Sequence, residues 1–220
     1  MPETRYRVVV FDWDGTLVDS TQRIVDSMQR AAREVGLREV PDAAVQNIIG
    51  LGLPEALMTV WPEINEEQLE VMRRLYVRYF VSDSQVDMDF FPGARTLLDT
   101  LLKKGYLLAV ATGKSRKGLN RLLQDLKVGH LFATTRCADE TRSKPDPLML
   151  EEIMAELSVS PAEVLMVGDT TYDLDMAHAA AIDSVAMGHG AHDEQQLLAC
   201  GPKTICHSIA ELNDWIALHG

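Results

Sequence analysis

Cysteine is scarce in this chain: Cys137, Cys200 and Cys206 are its only three in 220 residues. Their number is odd and their spacing is not that of a metal site, so reduced thiols without a catalytic part, in a cytoplasmic protein, are expected. Long hydrophobic runs are missing too. The apolar stretches are strand-sized, far short of the roughly 20 residues that a bilayer demands, so no membrane partner is expected. Met1 to Arg7 is polar and the run behind it soon ends in Asp12, which is not the pattern of a secretory leader. Basic residues are the minority charge: 21 Lys and Arg against 33 Asp and Glu leave a formal net charge of -12. Nucleic acid and anionic membranes need concentrated Lys and Arg, so neither is expected as a partner. An anionic substrate would have to be held by a local cationic site. Repeats and low-complexity tracts are absent, and 46% hydrophobic residues at this length can bury a real core.

What is present begins with Val8-Val9-Val10-Phe11, a β-strand pattern closing on Asp12, Trp13, Asp14 and Gly15. Strand side chains alternate faces, so extended geometry would aim Asp12 and Asp14 the same way and turn Trp13 into the fold. Ser20 or Thr21 can cap a helix that runs to Gly36, with Ile24, Met28, Ala31, Ala32 and Val35 at helical spacing. A second helical stripe from Glu66 holds Leu69, Met72, Leu75, Tyr76, Tyr79 and Phe80. No strand-like run lies between Val18 and Asp89. This predicts an all-helical insertion over 18–88, within a unit made of 1–17 and 89–220.

Beyond Pro92 the pattern alternates. A helix closing at Gly105 precedes the strand "LLAVATG", and "SRKGLNRLLQDL" reads as a helix. A short strand over Phe132 to Cys137, a helix from about Asp146, the strand "VLMVGDT" and a helix from Tyr172 follow. Strands near Ser184 to Met187 and Thr204 to Cys206 precede a terminal helix. Alternation of this kind predicts an α/β fold: a Rossmann-like, doubly wound parallel sheet with its active site at the carboxyl ends of the strands. The helical insertion follows the first strand directly and would sit over that edge as a lid.

Each convincing strand ends in a chemically capable residue. Asp12 and Asp14 close the first, Thr112 closes the second ahead of Gly113 and Lys114, and Asp169 closes the fourth with Asp173 shortly after. Taken singly, such residues are ordinary helix caps. Together they would bring four carboxylates to one edge, where each pair at about 4 Å costs roughly 4 kcal/mol at an effective dielectric near 20. A divalent cation relieves that repulsion, and carboxylates with water are what Mg²⁺ prefers. Lys144, in "SKPDP" just before a Pro-initiated helix, offers a further positive charge.

In this order "DWDGT", "ATGK", "SKPDP" and "GDTTYD" resemble the four motifs of the haloacid dehalogenase-like hydrolases. The resemblance spans the chain, because the insertion lies where one major branch carries a helical cap. "DGTLVDS", "GLGLPEAL" and "ATGKSRKGL" are most similar to phosphoglycolate phosphatase-like enzymes. The resemblance implies Asp12 as the nucleophile that becomes an aspartyl-phosphate and Asp14 as general acid, then base. It implies Thr112 and Lys144 on the transferring phosphoryl group. Mg²⁺ would lie on Asp12, the Asp14 carbonyl and Asp169, with Asp173 close by. Gly15, Thr16, Gly113 and Lys114 would border the substrate, and Gly50, Leu51, Gly52 and Leu53 of the cap would face the leaving group. A small phosphorylated metabolite is the implied partner, and the chain is expected as a monomer or homodimer.

Three alternatives remain on the residues. A C–Cl dehalogenase shares the fold, but its pattern lacks the second acid that Asp14 supplies. A sugar-phosphate mutase of the β-phosphoglucomutase kind has the same core motifs. A phosphorylatable receiver also uses Asp, Thr, Lys and Mg²⁺, but carries its phosphorylated Asp on the third strand and has no helical insertion. His178, His189 and His192 show no ligand spacing and read as surface or loop residues, while Trp61 and Trp215 read as packing.

Overall fold

The computed structural model describes residues 5–84 and 86–220. Its core is a six-stranded sheet of β1 (Val8–Phe11), β4 (Leu107–Thr112), β5 (Thr134–Cys137), β6 (Val164–Gly168), β7 (Asp183–Met187) and β8 (Ile205–Cys206). The strand order is β5-β4-β1-β6-β7-β8 and every pairing is parallel. The chain thus builds outward from β1 in one direction, then crosses it to build in the other. That reversal leaves a crevice at the carboxyl ends of β1, β4 and β6.

Both faces of the sheet are buried, which explains why its strands read as continuous apolar runs. Val9, Phe11, Leu108, Val110, Leu165 and Val167 face one core. Val8, Val10, Ala109, Ala111, Val164 and Met166 face the other. The alternation is that of the pleat. Helices α5 (Ala94–Lys103), α6 (Arg116–Asp125) and α10 (Ile209–His219) supply Leu97, Leu119 and Leu212 to the first core. Helices α7 (Leu148–Leu157) and α8 (Thr171–Ala179) supply Met149, Ile153 and Met176 to the second. A short helix, α9 (Glu194–Ala199), packs Leu197 beside Leu174 and Ala186. Trp13 is fully buried in the first core, against Phe90 and Phe132, turned inward as expected.

Four helices follow β1: α1 (Thr21–Val35), α2 (Asp42–Gln46), α3 (Leu53–Val60) and α4 (Glu66–Val81). They enclose a hydrophobic cluster of their own, in which Met28, Leu57, Trp61 and Met72 are almost inaccessible. Gly36 stops α1 in the left-handed conformation at φ 78°. The two connections to this unit are zipped together by β2 (Val18–Asp19) and β3 (Asp89–Phe90), paired antiparallel. Two-residue strands leave no periodic trace, so the sequence pattern did not announce this ribbon.

Candidate active site

The crevice gathers the charged residues that close the central strands. Asp12 directly follows β1, and its N–H extends the sheet ladder to Val167 O at 2.9 Å. Asp169 directly follows β6, and Asp173 lies in the first turn of α8. Carboxylate oxygens of Asp12, Asp169 and Asp173 lie within 4.8 Å of one another, all buried. Lys144 reaches in from the β5–α7 loop with its Nζ 2.7 Å from Asp12 Oδ1 and 2.6 Å from Asp173 Oδ1. Thr170 caps α8, and its N–H and hydroxyl donate to Asp173 Oδ2 at 3.1 and 2.7 Å. Asp173 is therefore spoken for by Lys144 and the cap of its own helix. Asp169 accepts from the Thr16 hydroxyl at 2.6 Å and from the Ala191 N–H at 2.7 Å.

Asp12 differs from both. Its Oδ2 is buried and has no hydrogen-bond partner among the described residues. Burial raises the Asp12 carboxyl well above its ordinary range, Lys144 opposes that rise, and Asp173, Asp169 and Asp14 add to it. Burial, with the charge of Asp173, pushes Asp169 up to about 7. Burial alone would pull the Lys144 ammonium down, but Asp12 and Asp173 outweigh it and hold Lys144 above the usual lysine value. Three buried carboxylates thus share one buried ammonium. An orphaned oxygen within a surplus of negative charge fits a hard divalent cation, which takes oxygen ligands.

Asp14 stands apart from this cluster. Ser20 Oγ donates to its Oδ1 at 2.5 Å, and Lys114 Nζ lies 3.0 Å from its Oδ2. The Lys114 ammonium also sits 4.6 Å from the centroid of the Phe80 ring on α4. Thr112 is fully buried at the end of β4, and its Oγ1 accepts the Lys114 N–H at 3.2 Å. Its own hydroxyl donates to no acceptor among the described residues. Gly15, at φ 80°, and Thr16 lie against Asp169: a Cβ on Gly15 would stand 2.2 Å from Asp169 Oδ2. The Gly15 N–H also donates to Val18 O at 2.9 Å, and Thr16 O lies 3.3 Å from His189 Nε2.

The crevice opens into a cavity of about 680 Å³ between the sheet edge and the helical unit. Asp12, Asp14, Gly113 and Lys114 line it from the core, Gly50 and Leu51 from the α2–α3 loop, and Leu53 from the start of α3. Gly52 is turned elsewhere, donating its N–H to Ser143 Oγ at 2.8 Å. Gly113 meets the helical unit at backbone distance: a Cβ there would stand 2.4 Å from Leu51 O and 2.5 Å from Gly50 O.

The model of the family described as "Haloacid dehalogenase-like hydrolase" matches residues 9–187. The chain belongs to the haloacid dehalogenase-like hydrolases. A "Phosphoglycolate phosphatase" of Vibrio vulnificus is 28% identical over 222 residues, covering 97% of this chain and 97% of that one. A "Probable phosphatase IndB" of Dickeya dadantii is 32% identical over 209 residues, covering 93% and 91%. The crystal structure of a predicted phosphoglycolate phosphatase from Haemophilus somnus superposes with a TM-score of 0.87 at 24% identity, covering 97% of this chain and 99% of that one. The fold is shared across that alignment. This member of the family is a phosphatase of the phosphoglycolate phosphatase-like branch.

Several participants left no mark in the sequence. Of the two expected caps of α1, Ser20 or Thr21, Ser20 takes the N-cap position, but its side chain makes no cap bond and turns instead to Asp14, because a buried carboxylate is the stronger acceptor. Ala191 contributes only a backbone N–H, and Gly190 beside it is needed because a Cβ there would stand 2.1 Å from Asp169 Oδ2. His192 lies in a loop, as expected, but is only 4% exposed. Its Nδ1 accepts the Thr171 N–H at 3.0 Å, so Nε2 carries the proton and donates to Asn47 O at 3.1 Å. Tyr172 and Gln196 also donate to Asn47, at 2.9 and 3.0 Å, joining the phosphatase core to the turn after α2. His178 is exposed and His189 half-buried against Phe91, as a surface and a loop residue. Trp61 and Trp215 pack as expected.

Proposed function

We propose that this phosphatase hydrolyses a small phosphomonoester in a Mg²⁺-dependent reaction, through a phosphoryl group carried on Asp12. The supporting observation is the divided state of that carboxylate: one oxygen is held by Lys144 and the other has no partner among the described residues. An oxygen so placed attacks phosphorus, the bond from phosphorus to the leaving oxygen breaks, and Asp14 gives that oxygen a proton. Asp14 then takes a proton from water as the water attacks phosphorus and the bond to Asp12 breaks. Splitting one displacement into two makes each easier.

Phosphoryl transfer depends chiefly on positioning and charge neutralisation. Lys144, fixed by Asp173, orients Asp12 and offsets charge on the phosphoryl oxygens. Thr112 donates its free hydroxyl proton to one of them. Ser20 and Lys114 hold the Asp14 carboxylate in place for the leaving oxygen. Asp12 and Asp169, with the Asp14 carbonyl and Asp173 nearby, would hold Mg²⁺, which supplies charge neutralisation at the phosphoryl group when bound. The helices of 18–88 serve as a cap that excludes water during the first step, with Gly50, Leu51 and Leu53 toward the leaving group.

Asp12→Asn tests this reading, because it removes the nucleophile while hardly changing volume. The variant should keep the native circular dichroism spectrum and release no phosphate from p-nitrophenyl phosphate. EDTA should stop the wild type and Mg²⁺ should restore it. Turnover by the variant, or by the wild type in EDTA, would contradict the assignment.

A further inference from the structure

We infer from the cavity lining that the physiological leaving group has an apolar body larger than glycolate and carries a second anionic group at its far end. This rests on the phosphatase reading and names the substrate class of the same site. Beyond Asp12 and Asp14 the walls turn apolar: Met28, Ile48, Leu51, Tyr76, Phe80 and Leu122 all line the cavity. Tyr76 and Phe80 stand as an aromatic pair, with ring centroids 5.7 Å apart, and Phe80 carries Lys114 on its face. A volume of about 680 Å³ is of the size that encloses a whole organic ligand, commonly ~300–1,000 Å³. A two-carbon acid would leave most of that apolar wall facing water.

The lining also carries cations. Arg74 of α4 and Lys117 and Arg121 of α6 also line the cavity, and all three are exposed. None has an ion-pair partner among the described residues, whereas Arg73 beside them is paired with Glu70 at 3.2 Å. Besides the catalytic pair, Glu55, Glu70 and Asp139 are the acids of the lining; Glu70 is paired with Arg73, and Asp139 already accepts the Arg116 N–H at 2.8 Å. Three unpaired cations around one opening are unusual in a chain with a formal net charge of -12. They suit an anion that the catalytic carboxylates do not handle.

The test is a homologous series of ω-carboxyalkyl phosphates starting at 2-phosphoglycolate, with neutral alkyl phosphates and ω-phosphorylated alkyl phosphates as parallel arms. The kcat/KM should rise by about fourfold for each methylene over the first several, the gain expected for burying it. At equal length one anionic arm should exceed the neutral arm by roughly tenfold, about what two or three exposed charge contacts supply. Whichever anionic arm leads tells a carboxylate from a phosphate. In R74A/K117A/R121A the charged and neutral arms should converge. Calorimetric affinities of the wild type for the matching non-hydrolysable phosphonates should follow the same order, which reads the cavity even without turnover. A series that is flat or best at 2-phosphoglycolate would overturn the apolar part, and equal charged and neutral arms would overturn the distal anion. Failure to hydrolyse p-nitrophenyl phosphate would instead break the phosphatase reading beneath it.

Discussion

Lys144 and Asp14 are the residues on which the chemistry can be tested one atom at a time. Lys144 is fully buried between Asp12 and Asp173. Lys144→Met would leave two buried carboxylates without their cation, and breaking a buried pair in this way costs about 3–5 kcal/mol. Thermal unfolding should therefore shift down by several degrees and activity should be lost, while an unchanged midpoint would contradict the charge balance drawn here. Asp14→Asn should slow phosphoenzyme formation from alkyl phosphates by about 10²–10⁴-fold, the usual worth of a general acid. With p-nitrophenyl phosphate, whose leaving group needs no proton, the loss should be much smaller. Rapid-quench measurement of both substrates checks this, and equal losses would remove Asp14 from the role of acid. Asp12, Asp14 and Asp169 were legible in the sequence because each is a particular side chain just past an apolar strand run, and Lys144 because it stands in a loop ahead of a Pro-initiated helix. The Ala191 N–H was not, because any residue could supply it, and Gly190 matters only through the space it leaves free.

Among the elements, the sheet was readable and its supports were not. Strands buried on both faces write continuous apolar runs, and helices with one buried face write a 3.6-residue stripe. The ribbon of β2 and β3 and the bonds onto Asn47 write neither, because they consist of two-residue strands and backbone acceptors. The contact of Gly113 with the α2–α3 loop shows what an element-scale test should disturb. Gly113→Ala would drive a methyl group into the carbonyls of Gly50 and Leu51. The expected result is a loop displaced from the core, with KM for small phosphomonoesters raised more than kcat is lowered. A fall in kcat alone would show that the loop does not shape the substrate site. Replacing Leu51 or Leu53 with a charged residue should alter selectivity among small esters more than p-nitrophenyl phosphate hydrolysis. Uniform loss on every substrate would contradict the cap as the selectivity element.

For the molecule as a whole, the acidic cluster ties stability to pH and metal. Asp169 is raised from 3.8 to about 7 in the folded chain, so the fold binds its proton more tightly than the unfolded chain does. In metal-free protein its contribution to stability is full below pH 3.8 and is lost as pH rises through about 7. Differential scanning fluorimetry of metal-free protein should show Asp169→Asn less sensitive than the wild type across that window. Mg²⁺, binding only the folded state, should raise the wild-type midpoint most at the alkaline end. A Mg²⁺ effect independent of pH would contradict a site built on this carboxylate. The central claim, however, is covalent, and it is tested most directly by trapping. Wild-type enzyme mixed with excess p-nitrophenyl phosphate and quenched in acid within one turnover should yield one phosphorylated peptide, with the phosphoryl group on Asp12. A phosphoryl group on any other residue, or none while a full turnover of p-nitrophenol is released, would contradict the account.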